Sequence, residues 1–256
     1  MSLLQNKVAL VTGSSSGIGQ GIARKFAEAG AKVVVDYRGH AEGAEQTLAL
    51  ILQAGSEGVM VQADITKMAD LKRLVDAAYS HFGALDVLVN NAGMEKEAPF
   101  TEVKEEDYDA VMAVNLKGPF FLTQYFVQRL RSAKRPGRVV NISSVHEDMA
   151  FPGFSTYCAS KGGIRMLMRD LAVELGPLNI TINNIAPGAI VTPINRSLLE
   201  NKDEMAALLN NIPLQRLGTV EDVAELAVFL ASDKAAYVTG STYAIDGGLM
   251  RNYHEQ

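Results

Sequence analysis

The residues of this chain with the clearest potential for chemistry are Tyr157 and Lys161, four positions apart in the segment YCASK. In a helix this spacing places both side chains on one face, one turn apart. A free tyrosine hydroxyl has a pKa of about 10, too high for a base at neutral pH. A neighbouring ammonium favours the phenolate and lowers that pKa. With a further positive charge nearby, the pair is expected to provide a proton acceptor that works at about pH 8; a chance surface pair is the alternative.

A second chemical feature is the glycine-rich segment TGSSSGIG, which contains Gly13, Gly17 and Gly19 and follows the first apolar run. Glycine lets the backbone turn tightly and lets a phosphate approach without a Cβ in the way. The residues that follow have helical periodicity, so free N–H groups and the positive end of a helix dipole would meet that phosphate. The segment lacks the Lys-Ser/Thr pair of a P-loop. It predicts a dinucleotide site, with a purely structural turn as the alternative.

Seven short apolar runs and longer amphipathic segments alternate along the chain and would position these residues. The runs lie at 7–12, 32–37, 58–63, 85–90, 138–143, 180–185 and 241–246. The candidate helices lie at 17–29, 67–82, 105–131, 157–175 and 221–231. This order predicts an α/β fold, a single-domain doubly wound parallel sheet of about seven strands of the Rossmann type. The irregular connection at 189–217 is expected to be a substrate lid, with an ordinary helical insertion as the alternative.

The composition limits the other classes of function. The 256 residues carry a formal net charge of −5, which argues against a nucleic acid or an anionic membrane as partner. The single cysteine, Cys158, excludes an internal disulfide and a metal site built from cysteine alone. The adjacent His146, Glu147 and Asp148 are not spaced as metal ligands, so no metal is predicted. No signal peptide or apolar run of about 18 residues is found, and a cytoplasmic location is expected.

The motifs together resemble those of the short-chain dehydrogenase/reductase family. The glycine-rich segment has the family's three residues between its first two glycines. Asn90–Gly93 (NNAG), Ser144 at the end of NISS, the YCASK segment and Pro187–Thr192 (PGAIVT) follow in the family's order. The resemblance extends from Lys7 to Gly248 and implies an NAD(P)-dependent dehydrogenase acting on a CH–OH group.

The resemblance also implies a catalytic set of Ser144, Tyr157, Lys161 and Asn115. Ser144, thirteen residues before Tyr157, would hydrogen-bond the reacting oxygen, and Tyr157 would take its proton. Lys161 would hold the ribose and lower the pKa of Tyr157, while hydride passes to the nicotinamide. Asn115, in MAVNLKGPF, would complete a proton relay through water to the lysine.

The cofactor is expected to be NAD or NADP, with both accepted. Tyr37 occupies the position at which NAD-selective members of the family carry an acidic residue, and Asp36 lies one position earlier. Arg38 lies where NADP-accepting members carry a basic residue, and Asp64 lies where the family holds the adenine. The implied cofactor-binding residues are Gly13, Ser15, Gly17, Ile18, Gly19, Tyr37, Arg38, Asp64, Ile65, Asn91, Ala92, Gly93, Tyr157, Lys161, Pro187, Gly188, Ile190 and Thr192.

The substrate prediction depends on three segments, 91–95, 143–147 and 188–195, which resemble those of bacterial glucose 1-dehydrogenases. Glu95, His146 and Asn195 would line the mouth above the nicotinamide and, with Ser144, hydrogen-bond a small-molecule sugar. The predicted reaction oxidises a sugar hydroxyl, that of glucose at C1, to the lactone. The alternatives are a solvated carboxylate for Glu95, a backbone-bonded His146 and a helix-capping Asn195.

Two further expectations concern partners. The alternative function is a 3-oxoacyl-carrier-protein reductase or another carbonyl reductase of the family, which would use a basic patch near the pocket. The candidate patch consists of Arg129, Arg131, Lys134, Arg135 and Arg138; a solvated helix end is the simpler interpretation. The resemblance also implies a homotetramer in which the helices 105–131 and 157–175 form a four-helix contact, with plain core packing as the alternative.

Overall fold

The computed structural model describes residues 2–192 and 201–252. The strands are β1 (Val8–Val11), β2 (Lys32–Tyr37), β3 (Gly58–Gln62), β4 (Val87–Asn90), β5 (Gly137–Ile142), β6 (Ile180–Pro187) and β7 (Thr242–Ile245). All pair in parallel in one seven-stranded sheet of order β3-β2-β1-β4-β5-β6-β7. The predicted fold class is confirmed. The strand order reverses beside β1, at the edge where open α/β sheets bind their ligands.

Helices cover both faces of the sheet. They are α1 (Gly17–Glu28), α2 (Ala41–Gln53), α3 (Met68–Phe82), α4 (Glu105–Met112), α5 (Gly118–Ala133), α6 (Ser155–Leu175), α7 (Lys202–Asn211) and α8 (Val220–Ala231). Val33 and Val35 of β2 join Phe26 of α1 in one core cluster, while Val34 joins Leu74 of α3 in the other. Alternate residues of a strand point to opposite faces, so an unbroken valine run suits a sheet that is buried on both sides.

The predicted helix at 105–131 is interrupted. It consists of α4 and α5, joined by a π-helical turn at Ala113–Lys117. Pro119 lies at the first turn of α5, where it has no backbone N–H to continue the α-helical bonding from α4. A π turn accommodates one extra residue in a helix and is frequent at functional sites. Here the turn contains Asn115.

The remaining differences lie in the connections. The sequence prediction did not include helix α2. Two consecutive parallel strands need a crossover connection, and α2 is the connection between β2 and β3. The connection at 189–217 contains α7, and its residues 193–200 lie outside the described part of the chain. Among the described residues, no helix is long and apolar enough to cross a membrane.

Candidate active site

A cleft of about 1280 Å³ opens at the carboxyl ends of the strands and contains most of the predicted site. The predicted cofactor residues that line it are Gly13, Ser15, Gly17, Ile18, Gly19, Arg38, Asp64, Ile65, Asn91, Ala92, Gly93, Tyr157, Lys161, Pro187, Gly188, Ile190 and Thr192. Glu95, Ser144 and His146 also line it. Tyr37 and Asn115 do not, and Asn195 lies outside the described residues.

The glycine-rich loop has the conformation that its glycines allow. Gly13 and Gly17 have φ angles of +60° and +54°, a left-handed backbone that favours glycine. A Cβ on Gly19 would lie 2.4 Å from Nδ2 of Asn91 and 2.6 Å from the carbonyl oxygen of Gly13. Ser16, at the start of α1, makes no side-chain capping hydrogen bond. The first N–H groups of α1 are therefore open to an anion, which fits the phosphates of a dinucleotide.

The NNAG segment fixes this loop to the end of β4. Oγ1 of Thr12 accepts hydrogen bonds from the backbone N–H groups of Asn91 (2.9 Å) and Ala92 (3.0 Å). In return, Nδ2 of Asn91 donates to the carbonyl oxygens of Thr12 (2.8 Å) and Gly13 (3.2 Å). These four bonds join the ends of two neighbouring strands at the point where the strand order reverses.

At the end of β2, the structure corrects the prediction for Tyr37. Asp36 and Arg38 line the cleft, whereas the ring of Tyr37 packs against the core. Side chains alternate along a strand, so the residue between two cleft-lining neighbours points to the other side. Gly39 and His40, which the sequence analysis did not select, also line this end of the cleft.

Asp36 is a buried carboxyl whose two oxygens differ. Oδ2 accepts a hydrogen bond from the backbone N–H of Gly13 (2.9 Å), while Oδ1 is buried and has no hydrogen-bond partner among the described residues. Burial raises the pKa of Asp36 to about 7; the Gly13 N–H opposes this shift and the charges of Asp64 and Asp70 add to it. Asp36 therefore has a pKa near neutrality at the part of the cleft beside the end of β2.

Asp64 behaves in the opposite way. Its burial would raise the pKa, but hydrogen bonds from the hydroxyl and backbone N–H of Thr66, together with the charges of Lys67 and Arg38, outweigh burial and lower it. The two bonds to Oδ1 are 2.7 and 3.0 Å long. Asp64 is therefore an ionised carboxylate held in a fixed orientation at the end of β3.

The predicted catalytic side chains lie between β5 and α6. Ser144 follows β5, accepts a hydrogen bond from the backbone N–H of His146 (3.2 Å), and shares a side-chain hydrogen bond with Tyr157. Nζ of Lys161 donates to the carbonyl oxygen of Ile142 (3.0 Å) and lies 5.5 Å from the centre of the Tyr157 ring. The structure thus brings Ser144, Tyr157 and Lys161 to one place, as the resemblance implied.

Burial changes the protonation expected for this pair. It raises the pKa of Tyr157 to about 12, although the Ser144 hydrogen bond lowers it. Burial also lowers the pKa of Lys161 to about 8, against the opposing charges of Glu147 and Glu95. The ammonium of Lys161 by itself therefore does not lower the pKa of Tyr157 below its ordinary value, and the further charge of an oxidised nicotinamide, on which the predicted base also depends, stays a prediction. Both groups lose water on folding, and a cation more than 5 Å away does not compensate for that loss.

Asn115 lies behind the cleft rather than in its wall. From the π turn, Oδ1 accepts the backbone N–H of Met94 (2.9 Å), and Nδ2 donates to the Met94 carbonyl (2.8 Å) and to Oγ of Ser160 (3.0 Å). The side-chain amide therefore connects the segment after β4 to α6. This contact positions Glu95, the next residue in that segment, and leaves the predicted proton relay as a prediction.

The substrate end of the cleft is mixed in character. Glu95 lies at its exposed rim, and partial burial and the charge of Glu97 raise its pKa while Lys161 lowers it. Nδ1 of His146 is within 3.2 Å of the Met149 carbonyl oxygen, and the ring stacks on Phe151 at 4.2 Å. The apolar side chains in this part of the wall are Met94, Met149, Phe151, Leu208 and Leu249. The cleft wall therefore combines two of the side chains predicted to hydrogen-bond a sugar, Glu95 and His146, with an apolar surface.

The basic residues proposed for a carrier-protein patch lie at the wrong edge of the sheet. They lie in the last turns of α5, in the connection after it and at the amino end of β5, whereas the cleft opens where β5 ends. Three of them are also paired with acidic residues: Arg129 with Asp76, Arg135 with Asp86, and Arg138 with Asp233. The cluster therefore forms no basic patch beside the cleft.

Comparison with known proteins identifies curated relatives that match nearly the whole chain. The 3beta-hydroxysteroid dehydrogenase 1 of Eggerthella lenta is 43% identical, covering 96% of this chain and 94% of the relative. Glucose 1-dehydrogenase 2 of Bacillus subtilis is 40% identical, covering 96% and 95%. A 3-oxoacyl-(acyl-carrier-protein) reductase FabG of Staphylococcus epidermidis is 42% identical, covering 95% and 99%.

Solved structures and a family model agree with these relatives. A putative short-chain alcohol dehydrogenase from Sinorhizobium meliloti superposes with a TM-score of 0.94 at 39% identity, covering 98% of both chains. A putative 2-deoxy-d-gluconate 3-dehydrogenase from Agrobacterium tumefaciens, with bound NADP, gives 0.90 at 37% identity, covering 97% of this chain and 98% of its own. The family model described as enoyl-(acyl carrier protein) reductase matches residues 13–250. The chain belongs to the short-chain dehydrogenase/reductase family of NAD(P)-dependent enzymes that act on CH–OH groups.

Proposed function

We propose that this enzyme oxidises a sugar hydroxyl with NAD(P), and that its substrate is glucose, converted at C1 to the lactone. The observation that carries the proposal is the position of Glu95 and His146 on the same cleft wall as Ser144 and Tyr157. A carboxylate and an imidazole can bind several sugar hydroxyls next to the reacting one. The glucose 1-dehydrogenase and the putative 2-deoxy-d-gluconate dehydrogenase among the similar proteins support it.

The roles of the residues follow from where their polar atoms lie. The open loop before α1, the ends of β2 to β4 and the segment Pro187–Thr192 would hold the dinucleotide. When bound, oxidised NAD(P) supplies the hydride acceptor and a positive charge beside Tyr157. Ser144 hydrogen-bonds the reacting oxygen, and Oη of Tyr157 takes the hydroxyl proton. Lys161, held by the Ile142 carbonyl, binds the ribose and keeps a cation near the phenolate.

The connection at 189–217 is proposed to be a lid over the substrate. Its helix α7 contributes Leu208 and Asn211 to the cleft wall. These side chains lie on the side of the cleft that also contains Leu249 and Asn252, near the end of the described chain. A lid of this kind would exclude water from the hydride transfer. It would also select substrates by the part of the molecule that contacts the lid. A cytoplasmic location remains part of this proposal.

A second candidate function, oxidation of a hydroxysteroid, is favoured by the apolar wall. Met94, Met149 and Phe151 offer surface to a flat hydrocarbon, and Leu208 extends it from α7. The relative named as a 3beta-hydroxysteroid dehydrogenase supports this candidate. The carrier-protein reductase has weaker support, because its basic cluster lies at the opposite edge of the sheet.

The deciding experiment follows absorbance at 340 nm with four substrates. D-glucose, 2-deoxy-D-gluconate and a 3β-hydroxysteroid are tested with NAD and with NADP at pH 8, and acetoacetyl-CoA is tested with NADPH at pH 7. We expect glucose to be oxidised, and Glu95→Gln to raise its KM about tenfold or more. Glu97→Gln is the matched control: it removes a neighbouring exposed carboxylate that does not line the cleft and should leave glucose kinetics nearly unchanged. Turnover of the steroid without turnover of either sugar would replace the proposal by the second candidate.

A further inference from the structure

Three buried asparagines form a ladder across the sheet behind the catalytic residues. Asn90 of β4, Asn141 of β5 and Asn184 of β6 are directly paired in the strand register. Nδ2 of Asn90 donates to Oδ1 of Asn141 (2.8 Å), and Nδ2 of Asn141 donates to Oδ1 of Asn184 (2.9 Å). All three side chains are almost completely buried. Amide dipoles aligned in one direction reinforce one another in a low-dielectric interior.

The ladder ends on a buried carboxylate. Nδ2 of Asn184 donates to Oε2 of Glu147 (3.1 Å), so every amide in the row points its N–H groups towards this acid. Oε1 of Glu147 is buried and accepts no hydrogen bond within the described part of the chain. Arg165 of α6 brings Nε to within 3.6 Å of that oxygen. Such a charge is stable only because dipoles and a cation face it.

Glu147 also lies next to the catalytic centre. It belongs to the short turn Val145–Glu147, which begins at Ser144 and packs on α6. On α6, Tyr157, Lys161 and Arg165 are spaced by four residues and therefore lie in one row along the helix. Glu147 contacts Arg165, the residue one turn beyond Lys161 in this row. Its negative charge is one of two that oppose the effect of burial on the pKa of Lys161, and it is the larger of them.

We infer that Glu147 is a positioning residue of this enzyme: its buried carboxylate, held by the asparagine ladder and by Arg165, keeps the side chain of Lys161 positively charged. Glu147 does not touch the reacting atoms. It acts through Lys161, and the inference rests on the role proposed for that lysine.

Other charged and titratable groups around Lys161 must be separated from this effect. From the segment after β4 and the turn after β5 they are Glu95, His146, Glu147 and Asp148, the last of which is also paired with Arg165. From α6 itself they are Tyr157, Cys158 and Arg165. Glu95 lies at the exposed rim, so solvent screens its charge more than it screens the charge of Glu147. Arg165 repels Lys161 and neutralises Glu147, so its removal should act in the opposite direction to removal of the Glu147 charge.

The test measures the protonation of Lys161 directly in the full-length protein. Lysines are labelled with ¹³C at Cε, the Lys161 resonance is assigned by its loss in Lys161→Met, and its midpoint is followed by NMR titration. Glu147→Gln removes the charge while its side-chain oxygen can still accept from Asn184. We expect its midpoint to fall by about 0.5–1 pH unit, and that of Arg165→Gln to rise. Asp170→Asn removes an exposed carboxylate from the same helix and should leave the midpoint unchanged.

The Lys161 midpoint is expected to fall in Glu147→Gln and to rise in Arg165→Gln. General damage to the fold would not shift the midpoint in opposite directions. Unchanged midpoints in both folded variants, or shifts in the same direction, would overturn the inference. Should Glu147→Gln not fold, as judged by circular dichroism, Glu147→Met removes the same charge without leaving a buried amide and should lower the Lys161 midpoint to the same extent. The titration needs no substrate, so a failure to oxidise glucose would refute the proposed function and leave this result standing. With any alcohol that is oxidised, the alkaline decline of kcat should move with the Lys161 midpoint.

Discussion

The ionisation of Tyr157 depends on neighbours that act in opposite directions. Burial and the charge of Glu95 raise its pKa, while the Ser144 hydrogen bond lowers it. Because burial raises the pKa of Tyr157 to about 12, the proposed mechanism relies on the positive charge of the oxidised cofactor to favour the phenolate. This explains why a Tyr–Lys spacing indicates the reaction class but not the pH at which the enzyme works.

Tyr157→Phe tests the role of that hydroxyl. The variant keeps the aromatic ring, which packs edge to face against His146, and loses only the proton acceptor. We expect kcat to fall about 100-fold or more, as for the loss of a general base. The affinity for NADPH, measured by its fluorescence, should stay nearly unchanged. A variant that keeps more than a tenth of the activity would show that the assigned mechanism is wrong.

Cofactor choice is also decided by single side chains. Asp36 would repel a 2′-phosphate, whereas Arg38 would bind one, and both line the same end of the cleft. Because these effects oppose each other, we expect kcat/KM for NAD and NADP to differ by less than about a thousandfold. Arg38→Ala should reduce kcat/KM for NADP more than for NAD. A larger preference in the unmodified enzyme, or an equal loss for both cofactors in the variant, would contradict this prediction.

The buried carboxyl of Asp36 should make stability depend on pH. Folding raises its pKa from 3.8 to about 7, so the protonated form favours the folded state below about pH 4, and this contribution is lost as pH rises through about 7. Asp36→Asn should therefore stabilise the protein relative to the original by about 2 kcal/mol more at pH 8 than at pH 5. Thermal unfolding at both pH values measures the difference. A pH-independent difference would mean that Asp36 is ionised throughout.

At the scale of elements, strong periodic patterns were predictable and weak ones were not. Each of the seven strands lies within two residues of its predicted bounds. A short uninterrupted apolar run is typical of a strand that is buried on both faces of a parallel sheet. Helix α2 was missed because only Gly43, Ala44, Thr47 and Ile51 are buried in it. With one large apolar residue among these four, the buried face shows little helical periodicity.

Part of the candidate site was also predictable, because some of its residues form a recognisable pattern along the sequence. Glycines, Tyr157 and Lys161 are recognisable because their spacing is local. The orientation of Tyr37 depends on strand alternation at the very end of β2, where the boundary decides which residue faces the cleft. The π turn that places Asn115 depends on contacts with Met94 and Ser160, which come from distant parts of the chain. The role of Glu147 likewise depends on strands that are adjacent only in the folded sheet.

Helix packing leads to a prediction at the interface of α1 and α8. Gly21 is buried there, and a Cβ on it would lie 1.9 Å from Cγ1 of Val220. A β-branched side chain at the start of a helix cannot move far enough by rotation alone. Gly21→Ala should therefore destabilise the protein by about 1–3 kcal/mol despite the better helix propensity of alanine.

The double variant isolates this steric cause. Val220→Ala removes Cγ1, so combining it with Gly21→Ala should recover most of the loss. Urea unfolding of the original, the two single variants and the double variant gives the coupling free energy directly. A coupling near zero would show that the helices separate freely and that Gly21 has another role.

At the scale of the whole molecule, the sheet separates two edges with different properties. The carboxyl ends of the strands carry the cleft with its loops, turns and titratable groups. The amino end of β5 carries the paired basic cluster, about a strand length of 15–20 Å away. Chemistry is confined to one edge because free backbone groups and loop ends meet there. The long basic side chains at the other edge are used in surface ion pairs.

The assembly prediction concerns the outer helices. Tyr108 of α4, Phe120 of α5, and Met166 and Val173 of α6 are all exposed, Val173 by 79%. Met166 and Val173 are seven residues apart, so they lie on the same side of α6, two turns from each other. An exposed apolar surface on these helices is typical of a protein–protein contact, and the family resemblance implies that such helices pair in a tetramer.

We therefore expect light scattering to give about four times the chain mass of 27.6 kDa at micromolar concentration. Replacing both Met166 and Val173 by aspartate should halve that mass, because charges would be buried in this contact while a second contact between subunits remains. Leu52→Asp is the matched control, since Leu52 is 57% exposed on α2, outside the proposed contact. A monomer in the unmodified protein would refute the tetramer. A tetramer that survives both aspartates would place the contact on other helices.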